Sequence, residues 1–478
     1  MFKLCARCLL VICAALVPVS VFAQTAADFR VPGATDDSVA VAQQNQELRF
    51  RVDRLETLVD QLRNELDHEP SMQALTELDW QFLEPDESAV EHASFATLHL
   101  SDVGSHSTEI FPTVRLTGFF QADAGWVSQS DSNQAAVGDL QDGADFRRAR
   151  LAATGMVAEN VGYMLEMDFA FPGRPTFMDI WGELRNLDGL QNVRVGQYRQ
   201  PFGLDGLTSV KELTFLERGL PFAFLPFRQI GAMAHGASEC EGMTWAMSGF
   251  RAQTDAFGAN VGDEGYGLAT RLTARHAGES GETIHFGGAY SVIAPTSDSV
   301  QYRNEPEFFV SDSISGATPF FVDTSIIAME TVHLFAGEVA ATSGPWHAQG
   351  EIVYALVDRQ TASSVVFSGA SFQTGYILTG EHRPYNSKNA VLGRIVPHQN
   401  FGSEGGCGAW EIAARWSYLD LNDGGVNGGL LNDLTAGLNW YLNRNTKLQL
   451  NYVHAFLKTQ GQGDSDADVV AMRAQIDF

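Results

Sequence analysis

Beyond residue 23, the sequence has no apolar run long enough to cross a membrane as a helix. Such a helix needs roughly 20 consecutive apolar residues, and every later run in the 478-residue chain is shorter. If the protein resides in a membrane, it must therefore cross it with strands that close into a barrel.

Positive charge is scarce, and lysine especially so. The chain has 31 Lys and Arg against 58 Asp and Glu, a formal net charge of -27, and only five of the basic residues are lysine. So acidic a chain disfavours nucleic acid and anionic lipid as partners. Arginine keeps its charge and binds carboxylate or phosphate with two donors, which suits either a lumen wall held by ion pairs or a path for anions.

Cysteine and catalytic spacings are also rare. Three of the five cysteines precede residue 24, and the other two, Cys240 and Cys407, could pair or stay free without acting as a disulfide framework. No Ser-His-acid or metal-ligand spacing stands out, so we expect no enzyme, metal site or cofactor. Structural roles are favoured for the scattered histidines His235, His285, His333, His347 and His382.

The amino terminus has the features of an export signal. Lys3 and Arg7 precede the apolar run 9–17, and Val21, Phe22 and Ala23 form a small-residue cleavage site before the next residue. We therefore predict that residues 1–23 are a signal peptide and that the mature protein is exported.

Residues 43–66 carry a short heptad pattern. Its apolar positions alternate spacings of four and three, which predicts either a periplasmic coiled coil or an amphipathic helix packed on its own chain. The alternation of Val and Leu by itself favours two strands. Residues 67–111 are acidic and poorly periodic, and we interpret them as a linker. The seam consists of Leu48, Val52, Leu55, Val59, Leu62 and Leu66.

From residue 112 to residue 478, period-two alternation predicts an all-β fold, a transmembrane antiparallel β-barrel of about 16 strands. The predicted strands are 112–127, 145–158, 161–171, 176–187, 192–200, 229–237, 243–253, 265–276, 283–293, 331–342, 345–358, 370–383, 408–420, 432–444, 446–457 and 468–478.

The predicted connections alternate between tight turns and long loops, as in bacterial outer-membrane barrels. Tight turns are expected at 159–160, 188–191, 343–344 and 443–445, and long loops at 201–228, 294–330 and 421–431. Two connections break the alternation. Segment 172–175 is short where a loop is expected, and 385–407 is long where a turn is expected.

The last strand is typical of an outer-membrane barrel. Val470, Met472, Ala474, Ile476 and Phe478 form an apolar face, and Phe478 ends the chain. The opposite face is more polar, and we expect it to line the lumen. It carries Ala471, Arg473, Gln475 and Asp477.

Charged side chains recur on the predicted lumenal faces. Within the strand 145–158, alternation places Arg148 and Arg150 in the lumen and Arg147 on the opposite face. These rows could guide anions, or their carboxylates could neutralise the arginines and stiffen the wall. The candidate anion-binding residues of the strands are Arg148, Arg150 and Arg194. The expected charge partners are Glu166, Asp168, Asp179, Glu183, Arg185, Arg271, Arg275, Glu411 and Arg415, with Arg415 beside Glu411.

Segment 201–228 is too apolar for a loop exposed to water, because it contains five phenylalanines. We predict that it folds into the barrel and narrows it; packing on a neighbouring subunit is the alternative. Lys211, Arg218 and Arg228 are then expected at or near the constriction.

Several segments resemble the phosphate-selective porin O and P family, in order and at sensible spacing from residue 115 to residue 478. They are FRRARL at 146–151, GQYRQPFG at 196–203, FLER at 215–218, QIG at 229–231, TGEHRPY at 379–385, GAWEIAAR at 408–415 and GLNWYLN at 437–443. Together these motifs are specific, although each alone is short.

The resemblance implies a homotrimeric, sixteen-stranded channel in outer-membrane lipid, with an inward loop and arginines that guide phosphate or polyphosphate. Arg148, Arg150 and Arg218 lie inside matching motifs. Selective members are rich in pore lysines, and this chain is not. A weakly selective porin for small polar solutes and a barrel-anchored structural tether therefore remain alternatives to a channel for small anions.

Overall fold

A computed structural model describes residues 111–478, apart from 171–173, 255–256, 259–264, 279–280, 296, 309–318, 404 and 460–462. The predicted signal peptide at 1–23, the coiled coil at 43–66 and nearly all of the linker at 67–111 lie outside the described residues.

Sixteen long strands dominate the described chain, as the alternation predicted. They are β1 Arg115–Gln129, β2 Gly143–Ala158, β3 Val161–Asp168, β4 Thr176–Leu187, β5 Gln191–Arg199, β6 Arg228–Ala237, β7 Met243–Arg251, β8 Tyr266–Ala277, β9 Thr283–Ala294, β10 Ile327–Ser343, β11 Trp346–Arg359, β12 Val365–Ile377, β13 Ala409–Asp423, β14 Val426–Asn443, β15 Thr446–Thr459 and β16 Gly463–Asp477.

The sheet is antiparallel and closes on itself. Each strand pairs with the next along the chain, and β1 pairs with β16 from Phe119 opposite Asp477 to Gln129 opposite Ala467. The backbone of Phe478 exchanges two hydrogen bonds of 2.9 Å with that of Gly118, so the last residue completes the seam. Closure leaves no free sheet edge, which a membrane-spanning sheet requires.

The two faces of β16 are divided as the alternation predicted. On the outer face, Met472 is 46% exposed and Phe478 is 55% exposed, whereas Arg473 and Gln475 on the lumenal face are each 2% exposed. Large apolar side chains are exposed on the outside of other strands too, as Trp416 is on β13. This apolar exterior is what lipid tails require of a barrel.

We call the end where β1 begins and β16 finishes the terminus end, and the opposite end the loop end. At the loop end, β13 and β14 are joined by Gly424 and Gly425 alone, with φ of 52° and 88°. Two positive φ angles in a two-residue hairpin favour glycine. The predicted long loop at 421–431 is therefore wrong, because both strands extend to a tight turn.

Segment 200–227, which joins β5 to β6 at the loop end, crosses the lumen to the opposite wall. Three side chains of that wall donate to its backbone: Lys447 to the Leu213 carbonyl at 2.9 Å, Asn439 to the Thr214 carbonyl at 2.8 Å, and Arg415 to the Glu217 carbonyl at 2.8 Å. The structure thus confirms the inward fold expected for 201–228.

Two more connections enter the barrel. Segment 295–326 at the loop end buries Tyr302 and Phe321 in an apolar cluster with Phe224. Segment 378–408 at the terminus end forms a small hairpin, Tyr385–Asn386 with Val391–Leu392. The predicted break in the alternation at 385–407 is therefore real, and it does not change the strand count.

Helices are minor. A seven-residue helix, Asp131–Val137, follows β1, and one turn, Leu204–Leu207, and a 3₁₀ turn, Leu220–Phe224, lie in segment 200–227. None of the helices in the described ranges is long and apolar enough to span a membrane.

Candidate functional site

Two large cavities are formed by the described residues of the barrel, one on each side of segment 200–227. The first, of about 610 Å³, is lined by the loop-end parts of β2, β4 and β6 and by residues 217–227; we call it the loop-end cavity. The second, of about 570 Å³, is lined by β4 to β8 and by residues 386–394; we call it the terminus-end cavity.

Glu217, at the centre of segment 200–227, is bound by three arginines. Arg147 and Arg148 of β2 approach its carboxylate to 3.0 and 2.9 Å, and Arg473 of β16 approaches it to 2.8 Å. Burial raises the pKa of the Glu217 carboxyl, but these guanidiniums prevail and hold it well below its usual range. The carboxylate therefore anchors the crossing segment to both sides of the barrel seam.

Arg147 points into the lumen, which corrects the outward placement expected from alternation. The register of β1 and β2 pairs Gln121 with Arg148 and Ala122 with Phe146, so β2 has a β-bulge at Arg147. A bulge re-aims the side chains around it. Arg147 and Arg148 consequently both reach Glu217, and Phe146 faces outward at 58% exposure.

Next along the wall, arginines and carboxylates alternate. Arg150 donates to Asp168 at 2.7 Å and lies 3.7 Å from Glu166. Arg228 lies 3.1 Å from Asp179 and also 3.7 Å from Glu166. The structure thus brings these predicted residues of β2, β3, β4 and β6 into one ion-pair network.

Charged side chains lie between the two cavities. Arg199, which lines the terminus-end cavity, and Arg218, which lines the loop-end cavity, both donate to the Thr208 carbonyl, at 3.0 and 2.9 Å. Arg228 faces the loop-end cavity while its partner Asp179 faces the other one. We call Arg199, Arg218, Arg228 and Asp179 the junction.

The remaining predicted residues of β4 and β5 lie towards the terminus end. Glu183 accepts from Arg185 at 2.9 Å and pairs with Arg194 at 2.5 Å, and His235 lies 3.0 Å away. Lys211 lies 3.9 Å from Asp477 and lines the terminus-end cavity.

Arg271 holds the inward hairpin of segment 378–408. It pairs with Glu338 at 2.5 Å and donates to the Ala390 carbonyl at 2.8 Å, while Arg275 donates to Ser387 at 2.8 Å. These contacts are structural. Arg271 lines the terminus-end cavity, and Arg275 lines neither of the two cavities described above.

Arg415 and Glu411 do not pair with each other, although they were expected side by side. Arg415 is bound to Glu307 of segment 295–326, and Glu411 lies 2.5 Å from His347. Glu411 and Arg415 are four positions apart on one strand, so each pairs with the residue that packs over it. Cys240 and Cys407 are both free and exposed.

Both cavities have a basic lining in spite of the acidic chain. Six arginines and three glutamates line the loop-end cavity. Four arginines, two lysines, one aspartate and one glutamate line the other. In the described ranges, no group of three or more His, Cys, Asp or Glu is placed to hold a metal ion.

The sequence comparison identifies the family. The model of the phosphate-selective porin O and P family matches residues 114–478. The chain belongs to this family. The match covers the whole barrel described above, and the protein is an outer-membrane porin.

Two relatives and one solved structure are similar to this porin. An uncharacterized protein of Caulobacter vibrioides is 30% identical over 76% of this chain and 73% of its own. Porin O of Pseudomonas aeruginosa is 26% identical over 76% of this chain and 88% of its own. OmpT of Vibrio cholerae, solved in a trimer form, superposes with a TM-score of 0.48 at 9% identity, over 77% of this chain and 99% of its own.

Sequence reasoning missed several cavity residues of this porin. Arg199 was inside a quoted motif but was not singled out, and Arg303, Lys388 and Arg394 lie in connections whose inward course no local pattern announces. One signal could have indicated that segment 378–408 enters the barrel: it is long, although it lies at the terminus end, where most connections are tight turns. Arg394 shows its role, since it bridges Glu212 at 2.8 Å and Asp477 at 2.7 Å.

Proposed function

We propose that this porin conducts anions by passive diffusion and that phosphate or polyphosphate is among them. The observation that carries the proposal is the positive charge of the side chains that line both cavities. A chain of net charge -27 places six basic side chains in each cavity, against three carboxylates in one and two in the other. A positive lining between low-dielectric walls concentrates anions along the path.

In this proposal the anion passes from the loop-end cavity across the junction to the terminus-end cavity. Arg218 and Arg199 converge on one carbonyl there, so an anion can leave the first guanidinium as it meets the second. Conduction requires sites that are weak enough to release the ion. The carboxylates of Asp179 and Glu166 lie beside Arg228 and weaken its attraction for an anion, so the anion can be released.

A weakly selective porin for small polar solutes is the second candidate, and the ion pairs favour it. Arg148 and Arg150 both have carboxylate partners within 3 Å, and such pairs set up a field across the lumen without a net preference for anions. The reversal potential in a salt gradient distinguishes the two candidates. It should lie near that of the anion for the first candidate and near zero for the second.

We include a homotrimer in the proposal, because the family resemblance implies one. The predicted coiled coil at 43–66 would then extend from the trimer into the periplasm. Cross-linking of purified protein tests the assembly: a three-subunit band supports it, and a monomer under all conditions contradicts it.

The double variant Arg148→Gln with Arg150→Gln tests the anion path. Anion preference in a salt gradient should fall, because both side chains line the loop-end cavity. The matched control is Arg115→Gln with Lys458→Gln, which removes two charges from exposed positions that line neither cavity. An unchanged reversal potential in the first variant would remove both arginines from the path.

A further inference from the structure

The loop-end cavity combines arginines with aromatic rings. Phe177 of β4 is 36% exposed and is among the residues that line the cavity. Phe222 and Phe227 of segment 200–227 line the same space as a T-shaped pair, with centroids 4.9 Å apart. A water-filled passage for inorganic ions alone has no use for such rings.

Two guanidiniums lie against these rings. Arg218 lies 4.8 Å from the centroid of Phe222 and 5.2 Å from that of Phe227, and Arg228 lies 4.7 Å from the centroid of Phe227. Arginine is planar and weakly hydrated, so it can stack on a ring with one surface while its N–H groups bind an anion. The cavity therefore offers an apolar surface and an anion-binding edge side by side.

The charge on Arg218 is not paired with a carboxylate of the cavity. Its donors reach the backbone carbonyls of Asp205 and Thr208, and within the described ranges it forms no ion pair with a carboxylate. Glu217 and Glu307, which line the same cavity, are already bound to arginines. An anionic group that enters can therefore pair with Arg218 without displacing a carboxylate.

We propose that the loop-end cavity binds organic anions with an aromatic body, such as aryl phosphates and aryl carboxylates. The proposal rests on the anion conduction argued above and adds a ligand class to it. Bare phosphate is strongly hydrated and gains nothing from an apolar wall, whereas an aryl ring gains by leaving water. The volume of about 610 Å³ is in the range of pockets that hold organic ligands.

Block of the channel by two probes with the same charged group tests the proposal. Inorganic phosphate and phenyl phosphate are added in turn to the loop-end side of the porin in a planar bilayer. Phenyl phosphate should block at about tenfold lower concentration, because burial of even part of a phenyl ring is worth on the order of a tenfold change in affinity. Equal concentrations for half block would overturn the proposal.

Phe177→Ala should abolish most of the difference between the two probes. The matched control is Trp181→Ala on the same strand, since Trp181 lines the terminus-end cavity, where the centroid of its ring lies 4.0 Å from the Arg194 guanidinium. A second variant, Phe222→Leu, keeps an apolar side chain but removes a ring, and the difference should shrink there too. A difference that survives in Phe177→Ala and Phe222→Leu but not in Trp181→Ala would overturn the proposal.

The reversal potential of the same channels distinguishes the possible failures. Anion preference with equal block by both probes overturns the aryl site and leaves the proposed function intact. A wild-type porin that shows no preference for anions overturns the proposed function and the aryl site that rests on it. A variant that forms channels has folded, so each of these results is interpretable.

Discussion

The two cavities share a basic lining but differ in the side chains that surround it. Both have arginines and aromatic rings, but the lining of the loop-end cavity has three phenylalanines and no lysine, whereas the terminus-end cavity adds Lys211 and Lys388. Lysine is a compact, strongly hydrated charge, and arginine beside phenylalanine is a flat and weakly hydrated one. One barrel can therefore offer an entering anion two different environments on either side of a single crossing segment.

The anchoring of that segment also differs between its two ends. Glu217 is buried and bound to three arginines, whereas Glu212, five residues earlier, is more exposed and pairs with Arg394, which has Asp477 as a second partner. Removal of one member of a buried ion-pair network leaves uncompensated charge in a low dielectric, whereas a partly exposed pair contributes little. The loop-end anchor should therefore dominate the stability of the crossing segment.

The largest predicted effect follows from this difference. Glu217→Gln should destabilise the folded porin by about 3 to 5 kcal/mol, since it removes the buried carboxylate that three guanidiniums share and leaves Arg473 with Asp123 alone. The matched change Glu212→Gln should cost about 1 kcal/mol or less. The temperature at which the folded band is lost on a gel measures both. Equal shifts for the two variants would contradict the asymmetry.

The junction should control the sign of selectivity. Arg218→Gln should lower the anion-to-cation permeability ratio about twofold to tenfold, because one unit charge beside the path contributes on the order of 1 kcal/mol. Lys458→Gln removes the same charge from an exposed outer position and should leave the ratio unchanged. The permeability ratio of each variant is measured from its reversal potential. An equal change in both variants would contradict a role of the junction.

The smallest effect is expected from the lysines of the terminus-end cavity. The double variant Lys211→Gln with Lys388→Gln should weaken block by inorganic phosphate about twofold, since each lysine acts as a single hydrated charge. Block by phenyl phosphate from the loop-end side should not change. If both probes lost potency equally, the two cavities would not differ as ligand environments.

Local pattern was sufficient to predict the strands and the faces of the barrel. Alternation between apolar and polar residues in β16 correctly placed Arg473 in the lumen and Met472 outside. It failed at Arg147, because a one-residue bulge reverses the alternation and no nearby residue type marks the bulge. It also missed the turn at Gly424 and Gly425, although two adjacent glycines after Asp423 are a hairpin signal.

Long-range packing determines the rest of the candidate site. Arg415 and Glu307 are 108 positions apart, and nothing in either local sequence indicates that segment 295–326 would cover β13. The apolar content of segment 200–227 did predict that it enters the lumen. The hairpin of 378–408 could not be placed in this way, because Arg271 donates to its backbone carbonyls, which no residue type marks.

The central claim is that the sign of the cavity lining, and not the sign of the whole chain, determines what passes. The reversal potential of the wild-type porin across a potassium chloride gradient tests it most directly. The basic lining predicts a potential displaced towards that of chloride. A potential displaced towards that of potassium, as the net charge of -27 alone would suggest, would contradict the account.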